Sequence, residues 1–214
     1  LRSYLDDFNG GEGGLDAFMG VLTKCLASKD TNRNADVIDA CSEAFSVCIE
    51  TSSIARVMVQ SSSLHFGVKD LRDMIMTTSS AKAKRYLADA FGSFLMDAAL
   101  LGLQWTEVVT EALMIAAKAL EIEPLKPSND VQGGALLGGT CVRLIRMHPS
   151  LIEHETYGMA SKLLQRLGSA LTNADDLIGN VFCDAISLSC SDGLKMELHD
   201  RYVSFPPLLF CNYA

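Results

Sequence analysis

The chain has 214 residues, 49% of them hydrophobic but only 7% aromatic, so there is ample material for a core built mainly of Ala, Leu, Val and Met. That palette favours helices over sheets. A formal net charge of −8 argues against general nucleic-acid binding, which needs a basic face to offset phosphates. Seven cysteines, an odd number without a C-x-x-C pair, argue against a disulfide framework; they point to a reducing compartment, the cytoplasm first and an organelle interior as the alternative.

Leu1 to Asn9 reads as the last turns of a helix ended by Gly10 and Gly11, with no signal-peptide pattern and no initiating Met. The segment is therefore expected to belong to something longer. Gly13–Gly14 then leads into an amphipathic helix with Leu15, Phe18, Met19, Leu22, Cys25 and Leu26 on one face. After a polar loop at 29–34, the stretch from Ala35 to Ile75 forms a three-part unit. Ala40, Cys41, Ala44, Phe45, Cys48 and Ile49 make a narrow apolar stripe. A short segment from Ile54 to Val59 follows, and a third amphipathic segment carries Phe66, Val68, Leu71, Met74 and Ile75.

The pattern continues downstream. Residues 84–102 repeat the first helix and 103–120 the third, before a linker that Pro124 and Pro127 bracket. Residues 131–147 form another helix rich in small residues, 149–155 a short connection, and 156–167 the next third helix. Asn173 is placed to cap a further first helix, and the apolar run SFPPLLF opens what would be one more third helix. Two ladders link the units. A small residue recurs at Ala44, Ala90, Gly139 and Ala185, in steps of 46, 49 and 46. A leucine recurs at Leu22, Leu71, Leu113, Leu163 and Leu209, in steps of 49, 42, 50 and 46.

Helix, short helix and longer helix at this spacing resembles the armadillo/HEAT family, whose period is about 40–47 residues. The resemblance is strongest at Gly13–Leu26 and Ala35–Ile75. It implies an all-α, right-handed α-solenoid: a single segment over 1–214, with approximate repeats at 1–29 (partial), 35–76, 82–120, 131–168 and 174–214 (partial). It departs from the family pattern before Trp105, where no glycine pair stands. The competing architecture is an irregular all-α bundle.

Armadillo folds line their concave groove with third helices. The resemblance therefore implies a partner-binding surface at Lys24, Lys69, Arg72, Trp105, Lys118, Lys162 and Arg166, all expected to be exposed. Basic residues there, in an acidic protein, suit an extended or acidic protein segment. Leu209 and Phe210, in a bulky apolar tail without a polar cap, are expected to be covered by a further repeat or another subunit. The expected function is a non-catalytic scaffold, or a structural subunit of a larger complex.

Chemistry-bearing motifs are weak. GGALLGGT, residues 133–140, has P-loop spacing, but Gly139 stands where the lysine should be and no strand precedes it. Close helix packing accounts for it better. His148, His154 and Cys141 match no zinc spacing, and no nucleophile signature occurs. No cofactor, metal or catalytic residue is expected. The most apolar stretch, Tyr86 to Leu103, is broken by Asp89 and Asp97, so no membrane insertion is expected either. The alternative function is an α-helical enzyme or small-molecule binder with a pocket between helices.

Overall fold

The computed structural model describes residues 12–27, 34–61, 64, 66–97, 104–120, 129–147 and 154–170. These form eight α-helices and no strand: α1 (Glu12–Ala27), α2 (Ala35–Thr51), α3 (Ser53–Gln60), α4 (Val68–Thr77), α5 (Ala81–Met96), α6 (Gln104–Ala119), α7 (Asn129–Met147) and α8 (His154–Ala170). The all-α expectation holds for these residues. The linker at Pro124 and Pro127, Ala185, and everything from 171 onward lie outside them.

Short polar side chains set the helix ends. Asn34 starts α2 by accepting from the Asp36 N–H at 3.0 Å. Ser52 ends α2 and starts α3 at once: its N–H bonds to the Cys48 carbonyl, while its hydroxyl accepts from the Ala55 N–H. Arg56 then reaches back and donates to the Ile49 carbonyl at 2.6 Å, one of the acceptors that a helix C-terminus leaves without an internal partner. At α4 the Asp70 carboxylate accepts from the Gly67 N–H at 2.8 Å, and at α5 the Ser80 hydroxyl accepts from the Ala83 N–H.

Helix α2 lies against α5, and α5 lies against α4 and α7. Helix α1 packs on α2, while α8 packs on α6 and α7. The core follows the leucine ladder: Leu22, Leu71, Leu113 and Leu163 are all buried. In the small-residue ladder Ala90 and Gly139 are buried and Ala44 is half-buried. Phe18 departs from the expected stripe and is partly exposed on α1.

The helix that organises the interior is α7. Of its residues from Val131 to Ile145, all but Gln132 and Arg143 are buried. A helix apolar on every side must be enclosed, and α7 meets α4, α5, α6 and α8. Its glycines allow this. A Cβ on Gly133 would collide with the Ile75 carbonyl and lie 2.7 Å from the Met76 Cα, both backbone atoms of α4. A Cβ on Gly134 would sit 2.8 Å from that of Ala119 on α6, and one on Gly138 would run into Leu163 of α8. The GGALLGG segment is thus the close-packing element that its composition suggested. In an array whose units touch only their neighbours, α4, within the expected 35–76 repeat, would not reach α7, within the expected 131–168 repeat. Here the bare backbone at Gly133 lets it do so.

Candidate partner-binding surface

The basic residues expected on the third helices divide into two groups. Lys24 on α1, Lys69 on α4, Lys118 on α6 and Lys162 on α8 are exposed. None of these four ammonium groups is ion-paired to another described residue. Arg166 lies within α8. Leu209 and Phe210 lie outside the described residues.

Arg72 and Trp105 were expected to be exposed, and both expectations are corrected. The Arg72 side chain is buried. Its Nη1 pairs with Glu111 on α6, while its Nε and Nη2 donate to Asp73 Oδ1 at 3.1 and 2.9 Å. The guanidinium fork thereby ties α4 to α6, a geometry that Lys cannot reproduce. Trp105 is only 1% exposed. Its indole Nε1–H donates to the Leu95 carbonyl at 2.6 Å, so the first turn of α6 satisfies an acceptor at the C-terminal end of α5. Both side chains hold the framework beneath the surface rather than forming the surface itself.

Sequence reasoning missed an apolar set on the outside. Ile54 and Val57 on α3 are 54% and 44% exposed, and Val21, Met96 and Met114 are exposed on α1, α5 and α6. The signal was available in α3. Ala55 and Val59, four apart, point inward, which leaves Ile54 and Val57, three apart, on another face. Arg56, between them, lies 3.4 Å from Asp97 at the end of α5, joining α3 to that helix end.

Cys48 and Cys141 are buried, and burial alone pushes the Cys48 thiol up to about 11 and the Cys141 thiol higher still. Such thiols stay protonated and inert near neutral pH. Among the described residues no group of three or more His, Cys, Asp and Glu side chains could hold a metal ion. None of the described helices is long and apolar enough to cross a membrane. Comparison with protein-family models, curated proteins and solved structures finds no match to this chain.

Proposed function

We propose that this chain is a non-catalytic interaction scaffold, or a structural subunit of a larger assembly, built as a tightly wound armadillo/HEAT-like array. It works in a reducing compartment such as the cytoplasm and engages a protein segment of acidic, extended character along its third-type helices. The observation that carries this reading is the lysine set. Lys69, Lys118 and Lys162 stand exposed on α4, α6 and α8, the helices in the third position of successive units, without ion-pair partners among the described residues. In a protein of net charge −8, exposed cations that are not neutralised internally are available to an anionic partner. The packing of α2 on α5 and of α5 on α7 supports the repeat arrangement, since these are the first-type helices of consecutive units, whereas the α4–α7 contact, which skips a unit, favours the competing irregular bundle. The apolar tail with Leu209 and Phe210 would supply a second contact within an assembly.

The test is a titration of a fluorescently labelled Glu/Ser-rich peptide, read by anisotropy at low and moderate salt. Binding should weaken as salt rises. It should also weaken about tenfold or more in the K69E/K118E/K162E variant, since each reversal turns an attraction into a repulsion. Equal binding by the variant, or no binding by the parent chain, would overturn the acidic-segment reading.

A further inference from the structure

Of the cysteines in the described residues, two are unlike the buried pair. Cys25, near the end of α1, and Cys41, in α2, are both half-buried. The Cys41 thiol donates toward the Cys25 sulphur at 3.0 Å. A covalent S–S bond is about 2.0 Å, so the two sulphurs need approach by only about a further ångström to bond. The two residues come from different helices, 16 positions apart, and their meeting is a product of the fold. Among the described helices, α1 packs chiefly on α2 and, to a smaller extent, on α4. A bond between these sulphurs would therefore fasten the N-terminal helix of the described fold to its principal support.

We propose that Cys25 and Cys41 form an oxidisable thiol pair, which a peroxide converts to an intramolecular disulfide locking α1 onto α2. One thiolate attacks an oxygen of hydrogen peroxide. The O–O bond breaks, giving a sulfenic acid and, with a proton, one water. The second sulphur then displaces the sulfenic hydroxyl, the S–S bond forms, and a second water leaves with the remaining thiol proton. Each sulphur gives up one electron, and the peroxide takes both. Cys48 and Cys141 do not compete, because burial keeps them protonated and shielded. Partial exposure of both members of the pair is what lets a small oxidant in and a thiol reductant reverse the bond.

The experiment treats the native full chain with stoichiometric hydrogen peroxide, blocks residual thiols, and maps the peptides without reduction. Cleavage after Lys and Arg isolates Cys25 in residues 25–29 and places Cys41 with Cys48 in residues 34–56; a second cut after Glu43 separates those two. The expected result is a 25–41 link, two hydrogens lighter than its separate peptides. It should form faster in the native protein than in urea, melt at a higher temperature than the reduced chain, and revert with dithiothreitol. The Cys25→Ser variant should lose the link and leave Cys41 trappable as a sulfenic acid by dimedone. Should that variant fail to fold, the map of the parent chain decides alone. A different pairing forming first, a link made no faster in native protein than in urea, or a lower melting temperature after oxidation would each overturn the proposal.

Discussion

Trp105 shows what one residue can reveal and conceal in a sequence. Its place at the start of a helix was legible, but its direction was not, because an indole suits a groove or a core equally well. The deciding partner, the Leu95 carbonyl, lies ten positions back, near the end of the preceding helix. Trp105→Phe keeps most of the buried ring and removes only the donor. It should cost about 1–2 kcal/mol, because the carbonyl is left without that bond; thermal denaturation followed by circular dichroism would check this. A neutral result would mean that water reaches the Leu95 carbonyl. Arg72 was misplaced for a related reason. Its partner Glu111 comes from a helix 39 positions away, and charge alone says nothing about which cation finds a carboxylate. The exposed lysines were easier to place, since a flexible ammonium stem tends to stay in water.

At the scale of the helix, the sequence was most informative. The expected third helix at 103–120 appears as Gln104–Ala119, and the expected helix at 131–147 as Asn129–Met147. Apolar period and capping residues determine such bounds locally. Glycine is where the same residue type means opposite things. Gly133 touches α4 backbone, whereas a Cβ at Gly158 in α8 would meet nothing within 4 Å. Gly133→Ala should therefore destabilise by about 1–3 kcal/mol through forced separation of α4 and α7. Gly158→Ala should stabilise by about 0.5–1 kcal/mol, because alanine lowers the entropy lost on forming a helix. Chemical denaturation of both variants against the parent gives the two signs directly. Two shifts of the same sign would contradict the packing at one of these positions.

For the whole molecule, the leucine ladder anticipated the burial of Leu22, Leu71, Leu113 and Leu163, but not the packing of α4 on α7. That contact turns on the missing side chain of Gly133. No repeat length encodes such a contact. It predicts that a fragment ending at residue 120 will be loosened at α4, α5 and α6, because each loses the helix that covers part of it. Amide exchange in its α4, α5 and α6 should be markedly faster than in the full chain. A chain of units coupled only to their neighbours would instead keep its remaining repeats protected. Protection in α4 to α6 of that fragment comparable to the full chain would count against the central role of α7.

The position of α7 along the chain also makes this a problem of timing on the ribosome. Helix α4 is complete at Thr77, but the helix that encloses its inner side ends only at Met147, about 70 residues later. At about 5–20 residues per second, newly made apolar faces wait roughly 4–14 s for their cover. During that interval the nascent chain presents the kind of uncovered apolar surface that chaperones bind. The rate of translation between these two helices therefore sets how long each new molecule is open to aggregation.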